Sequence, residues 1–232
     1  MATLLRAWKD FSRANTRYQQ FGQNYDTSTF GGATACTHAC LQRLVKAKTG
    51  NHYTQDQISR IATYPWPKDN PGKRGMYSGG RDDEVGKVID HFDLPYKLQF
   101  NLPWSQVQEA MELGPVLIGI RYGYWPEWKG YRYYGHAADG RPGGYAFRHG
   151  KSQLTGFENG YHATLLLGER TVLGVRRTIA NEPNHGSAAR KEKPDFDSVR
   201  SSYAKRAYEQ YGFEGRALLA WTPTRTFRPK GY

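Results

Sequence analysis

The stretch TFGGATACTHACLQRLV, residues 29–45, contains both cysteines of the chain, Cys36 and Cys40. A loop of small residues leads into Cys36, and apolar residues then recur at helical spacing, which predicts a helix over 36–48. A thiol at a helix N-terminus meets the positive end of the helix dipole, which favours the thiolate. Cys36 is therefore a candidate nucleophile. Cys40, one turn further on, is predicted to be a small buried hydrophobe.

A zinc site is the alternative interpretation of the same cysteines, because His38 stands between them. On a helix, residues 36 and 40 share one face while residue 38 points to nearly the opposite one. The chain has no second cysteine pair that would complete a tetrahedral site. The sequence therefore favours a thiol nucleophile over zinc, and it predicts no metal and no other cofactor.

The order of patterns along the chain indicates an α+β fold. Four helical patterns precede Gly114, the second of them capped by Thr54, and short apolar runs typical of strands follow it, beginning with PVLIGIRY. The segment KPDFDSVRSSYAKRAYEQYGF is predicted to be a last helix before a closing strand. Helices followed by strands with turn residues between them predict N-terminal helices packed on an antiparallel sheet.

The length of 232 residues allows one domain, which we predict to span 23–232 after an amphipathic N-terminal helix or arm over 1–22. An aromatic-rich insertion at about 121–160 is too long for a plain connection. Its rings are predicted to pack on the core or to form a wall over a cleft; they are Tyr122, Tyr124, Trp125, Trp128, Tyr131, Tyr133 and Tyr134.

A nucleophilic thiol requires a base and a group that orients the base. His162 begins the apolar run HATLLLGER, where a strand could present its imidazole to a cleft, although a histidine at a strand end can also be purely structural. Asn181 ends the next strand pattern and could fix the histidine tautomer, or could simply belong to a turn before a proline. Gln23 is the candidate side-chain donor to an oxyanion, with Gln20 as the second choice.

Together these residues resemble a papain-like cysteine peptidase. The chain is most similar to the branch related to the double-glycine leader peptidases that process bacteriocins, through Gln23 before Cys36, GPVLIGI, GYHATLLLGER and IANEPNHGS. The spacings from Cys36 to His162 and Asn181 also approach the roughly 130 to 150 residues known for papain-type enzymes. The resemblance implies Cys36 as nucleophile, His162 as general base, Asn181 as its orienting residue and Gln23 as oxyanion donor.

The chain also departs from that family pattern. The usual Cys-Gly-Pro is CTH here, Tyr161 replaces a glycine before His162, and Glu182 stands between Asn181 and the following proline. The insertion is not a standard element of the family. These departures bear on the choice of substrate and, to a lesser degree, on the activity itself.

The net charge of +12 and the pI near 9.7 predict nonspecific attraction to polyanions. No nucleic-acid-binding motif accompanies the charge, so dedicated nucleic-acid binding is disfavoured. The sequence lacks a signal-peptide pattern and an apolar stretch long enough to span a membrane, and its two cysteines are no disulfide framework. We therefore expect synthesis in a reducing cytoplasm.

Two hypotheses follow. The first is a cysteine peptidase or amidase that cleaves a peptide bond through a thioester acyl-enzyme, with a peptide or peptidoglycan cross-links as substrate. The second is an inactive papain-like fold that serves as a structural or adhesive subunit. The basic, Tyr- and Trp-rich composition also resembles that of tailed-bacteriophage lysins and tail components, which implies incorporation in a virion and virion or tail proteins as partners.

Overall fold

The computed structural model describes residues 36–62, 82–121, 133–136, 142–145, 147–148, 151–152, 161–181 and 197–230. The helices are α1 (Cys36–Thr49), α2 (Gln55–Ile61), α3 (Asp82–His91), α4 (Trp104–Leu113) and α5 (Ser201–Glu209), and α5 runs into a 3-10 helix, η1 (Gln210–Gly215). The strands are β1 (Tyr96–Phe100), β2 (Val116–Arg121), β3 (Tyr133–His136), β4 (Pro142–Tyr145), β5 (Phe147–Arg148), β6 (Lys151–Ser152), β7 (Tyr161–Val172), β8 (Val175–Asn181), β9 (Asp197–Arg200) and β10 (Leu219–Pro223).

Six of the strands form one antiparallel sheet in the order β1-β10-β2-β7-β8-β9. Strands β2 and β7 are central neighbours, and their register runs without a shift from Val116 opposite Leu166 to Arg121 opposite Tyr161. Helices packed on an antiparallel sheet confirm the predicted α+β class.

Helices cover both faces of the sheet. Side chains alternate along each strand, so neighbouring residues contact different helices. Leu117 and Leu165 belong to one buried cluster with residues of α1, α2 and α3. Ile118 and Leu166, each one position further on, belong to a second cluster with residues of α4 and α5. The predicted packing of the N-terminal helices on the sheet is thus found for α1 to α3, while α4 lies on the opposite face.

Local sequence signals account for where α1 ends and where α2 begins. Thr54 caps α2 in a capping box, with its Oγ1 accepting from Gln57 N–H at 3.1 Å and the Gln57 side chain accepting from Thr54 N–H at 2.8 Å. Gly50 ends α1 at φ 77°, and its N–H donates to Lys46 O at 2.8 Å. The cap at Thr54 is the one the sequence predicts.

Three elements differ from the sequence predictions. The segment that becomes β1 carries no predicted strand, and it pairs with β10 from the C-terminal end of the chain. The predicted last helix begins only at Ser201, because Asp197–Arg200 pairs with β8 as edge strand β9 and buries Val199 in the second cluster. The predicted strand at VLGVRRTIAN is interrupted by a hairpin turn at Leu173 and Gly174, both with positive φ.

The N-terminal arm over 1–22 lies outside the described residues. Within the insertion at about 121–160, β3 pairs with β4 and β5 with β6, and the aromatic side chains proposed as a wall are not among those described. The single-domain assignment therefore stays a prediction. No helix in the described part of the chain is long and apolar enough to cross a membrane.

Candidate active site

The Cys36 thiol lies at the point where α1 begins, against the first residues of β7. Its sulfur is hydrogen-bonded to the side chain of His162, the second residue of β7, and accepts a hydrogen bond from the N–H of Ala163. The hydroxyl of Thr37 is 4.0 Å from the same sulfur. Cys36 is 7% exposed and His162 is 9% exposed, so the two groups meet in a largely dehydrated environment.

The electrostatics of this contact favour the thiolate. Burial by itself raises the pKa of Cys36, because it disfavours the charged form. The charge and hydrogen bond of His162, the Ala163 N–H and the Thr37 hydroxyl all act in the other direction, and together they hold the pKa below the ordinary value of 9.0. A thiol pKa that is lowered in spite of burial favours the nucleophilic thiolate form.

Ala163 holds the first turn of α1 against the strand through both of its backbone groups. Its N–H donates to the sulfur of Cys36, while its carbonyl oxygen lies 3.8 Å from the sulfur of Cys40, which donates to it. Pairing of β7 with β8 begins only at Leu165. The first residues of β7 therefore have an edge that β8 does not cover, and α1 occupies it.

Asn181 is the last residue of β8 and pairs with Leu165, three positions beyond His162. Three residues of extended strand correspond to about 10 Å along the sheet. The strands of His162 and Asn181 are adjacent and antiparallel, as the sequence predicts, but the Asn181 side chain is not described. Its role as the orienting residue stays a prediction.

Gln23 and Gln20, the candidate oxyanion donors, also lie outside the described residues. The other predicted donor is the backbone N–H of Cys36, the first residue of α1. The N–H groups of a helix's first turn are not used by hydrogen bonds within the helix, which is why this N–H is a candidate oxyanion donor.

Cys40 and His38 are both fully buried. Cys40 belongs to the core cluster under α1, which confirms its predicted role as a small hydrophobe. Burial lowers the pKa of His38 to about 4, with a smaller opposing effect from Asp56, so this imidazole is neutral at physiological pH. In the portion of the chain that the structure describes, no group of three or more His, Cys, Asp or Glu side chains could hold a metal ion.

Sequence reasoning missed two contributors to the site. The backbone of Ala163 leaves no signal of its own in a sequence, because any residue in that position offers the same N–H. Thr37, the residue after Cys36, could have been found as a hydroxyl next to a candidate nucleophile.

No protein-family model matches this chain, and no curated protein sequence matches it. Among solved structures, the chain is similar to a protein from Bacillus anthracis provisionally assigned as a C39-like peptidase. The two share 11% identity at a TM-score of 0.49, over 89% of this chain and 95% of that one.

Proposed function

We propose that this protein is a cysteine peptidase or amidase that cleaves a peptide bond through a thioester acyl-enzyme. The observation that carries the proposal is the hydrogen bond between the His162 ring and the Cys36 thiol, at a helix N-terminus and with a lowered thiol pKa despite burial. A thiolate paired with an imidazolium provides both a nucleophile and a proton donor, which are the two groups that acyl transfer requires.

In the proposed reaction, the Cys36 thiolate attacks the carbonyl carbon of the scissile amide, and the carbonyl oxygen becomes an oxyanion. The Cys36 N–H and the predicted donor Gln23 stabilise that oxyanion. The His162 imidazolium then transfers its proton to the amide nitrogen, the carbon–nitrogen bond breaks and the amine leaves. The acyl group remains on Cys36 as a thioester.

Hydrolysis completes the cycle. Neutral His162 accepts a proton from water, and the resulting hydroxide attacks the thioester carbon. Collapse of the second tetrahedral intermediate breaks the carbon–sulfur bond and releases a carboxylic acid. The thiolate and the imidazolium are thereby regenerated, so no cofactor is consumed. In this scheme Asn181 holds the His162 ring in the tautomer that the reaction needs.

The substrate class that we propose is a peptide or peptide-like amide. The sequence adds two finer hypotheses, namely peptidoglycan cross-links as the substrate and a tailed-bacteriophage lysin or tail as the setting. The net charge of +12 supports attraction to anionic polymers in general, which include the anionic polymers of cell walls.

The test combines thiol labelling with hydrolysis. The native protein is treated with iodoacetamide over a range of pH, and the alkylation of Cys36 and of Cys40 is followed separately by peptide mass spectrometry. We expect Cys36 to react faster than Cys40 and with a midpoint below that of free cysteine. A library of peptides and purified peptidoglycan are then incubated with the protein and with Cys36→Ala.

Cleavage that disappears in Cys36→Ala supports the proposal. If Cys36 reacts no faster than free cysteine and no substrate is cleaved, the proposal is wrong. The second sequence hypothesis, a structural or adhesive subunit that retains the fold without activity, then becomes the better account.

A further inference from the structure

Gly119 of β2 and Ala163 of β7 face each other across the centre of the sheet, close to the candidate nucleophile. Both are half-buried, whereas the residues on either side of Gly119, Ile118 and Ile120, are fully buried. Two of the smallest residues of the sheet thus lie opposite each other, at positions that are less buried than their neighbours on β2.

The ring of Tyr211, from η1, lies directly over Gly119. A Cβ atom added to Gly119 would stand 2.5 Å from Cε2 and 2.7 Å from Cζ of this ring. The ring therefore occupies the space that a side chain at position 119 would fill, and only glycine allows this approach. Tyr211 is itself half-buried, so part of its surface is accessible to solvent.

The ring and the methyl group of Ala163 lie on the same face of the sheet. Residues opposite each other in an antiparallel pair project to one side, and an added side chain at 119 would project into the ring. The backbone groups of Ala163 are directed to Cys36 and Cys40. Gly119 and Ala163 are consequently a non-hydrogen-bonded pair, in which the Cα atoms approach to about 4.5 Å.

Strand β7 therefore lies between Gly119, which the Tyr211 ring covers, and the Cys36 thiol. On one edge of β7, the N–H of Ala163 donates to the Cys36 sulfur. On the other edge, Ala163 lies opposite Gly119, and the Tyr211 ring packs on Gly119. Ala163 and the Tyr211 ring are thus the groups of this face that a peptide bound at the sulfur would meet on the β2 side of β7.

We propose that Tyr211 is a specificity-determining residue, whose ring forms one wall of the substrate cleft beside Cys36 and limits the size of the substrate side chain that lies next to Ala163. This inference rests on the proposed peptidase or amidase function. It assigns the ring no part in the chemical steps.

The test compares two alkylating agents on the full-length protein, iodoacetamide and the bulkier N-benzyl-iodoacetamide. The rate constant at Cys36 is measured for each by mass spectrometry, and the ratio of the bulky to the small reagent reports steric access independently of thiol ionisation. We expect Tyr211→Ala to raise this ratio by about tenfold, the effect of relieving a modest steric restriction in a pocket. Tyr211→Phe, which keeps the ring, should leave the ratio unchanged.

Tyr203→Ala is the matched control, since this tyrosine is 40% exposed on α5, and it should also leave the ratio unchanged. Thermal melting verifies that each variant is folded, and Tyr211→Leu replaces Tyr211→Ala if the alanine variant is not. An unchanged ratio in a folded variant that lacks the ring overturns the inference.

The inference and the proposed function fail in different ways. Slow alkylation by iodoacetamide itself, in the native protein, counts against the function. The ratio remains measurable in that case at about pH 10, where an ordinary thiol ionises. If the native protein cleaves peptides, Tyr211→Ala should in addition accept larger side chains next to the scissile bond, while Tyr211→Phe should not.

Discussion

The side chain of His162 is hydrogen-bonded to the thiol of Cys36, and this contact joins the start of a central strand to the start of the first described helix. The contact opposes the effect of burial on the thiol and leaves its pKa lowered. Because His162 stabilises the Cys36 thiolate, replacing either residue should change the reactivity of the site, whereas replacing a neighbouring packing residue should change only stability.

Replacement of His162 should raise the pKa of Cys36. In His162→Ala the effect of burial remains while the largest opposing effect is lost. The midpoint of Cys36 alkylation should move to higher pH, so alkylation near pH 7 should be slower than in the native protein. The pH dependence of iodoacetamide labelling measures this shift. An unchanged midpoint would show that His162 does not stabilise the thiolate.

Replacement of Cys36 should affect catalysis, and replacement of Cys40 should affect stability. Cys36→Ala should abolish cleavage and leave the unfolding transition nearly intact. Cys40→Ala should keep the activity, but removal of its fully buried sulfur should destabilise the fold by about 1 kcal/mol. Chemical denaturation and a hydrolysis assay on both variants check this. Loss of activity in a folded Cys40→Ala would contradict the assignment of Cys40 as a core residue without a part in catalysis.

Asn181→Ala should lower the rate of cleavage without removing the thiolate. An amide that orients the imidazole matters for proton transfer, so we expect kcat to fall by up to about a hundredfold. The alkylation midpoint of Cys36 should change much less than in His162→Ala. If Asn181→Ala retains the native kcat, the residue that orients His162 is a different one.

His38 should make the fold sensitive to acid. Its pKa is about 4 in the folded protein and about 6.5 in the unfolded chain, so between these values the unfolded chain binds a proton that the folded protein does not. The free energy of unfolding should therefore decrease as the pH falls from 6.5 to 4, by about 3 kcal/mol from this residue.

Urea denaturation at several pH values measures the effect. His38→Leu should remove this part of the decline, whereas His52→Gln, at an exposed position, should retain it. Parallel curves for the native protein and His38→Leu would contradict the prediction.

Glu169 should be essential for stability on the side of the sheet away from α1. Its buried carboxylate accepts hydrogen bonds from Gln108 Nε2 at 2.9 Å and Thr178 Oγ1 at 3.0 Å, and it pairs with Arg176. Glu169→Ala should cost about 3 kcal/mol, because the buried Thr178 hydroxyl and the half-buried Gln108 amide lose their acceptor.

Glu209→Ala is the matched control. Glu209 pairs with Lys205 on the surface of α5 at 3.6 Å, and loss of this pair should cost less than about 0.5 kcal/mol. Equal losses in the two variants, measured by urea denaturation, would show that the Glu169 cluster contributes no more than a surface ion pair.

Local signals in the sequence were sufficient for several elements. The capping box at Thr54, the small-residue loop before Cys36 and the apolar run after Tyr161 each depend on residues within one turn or one strand, and the corresponding helices and strand are found. Strand β1 and edge strand β9 left no such signal, because their stability comes from pairing with β10 and β8, whose residues lie outside the strand's own segment of sequence.

The sequence by itself determined that this chain has an α+β fold, with a cysteine at the start of a helix and a histidine at the start of an apolar strand. Only the tertiary structure decided that α1 occupies the uncovered edge of β7, so that Ala163 donates to Cys36 and the Tyr211 ring rests on Gly119. The physical reason is the separation along the sequence of the residues that interact. Helix caps and apolar periodicity act between near neighbours in the sequence, whereas the surroundings of a thiol depend on which distant backbone groups and rings the packed sheet brings against it.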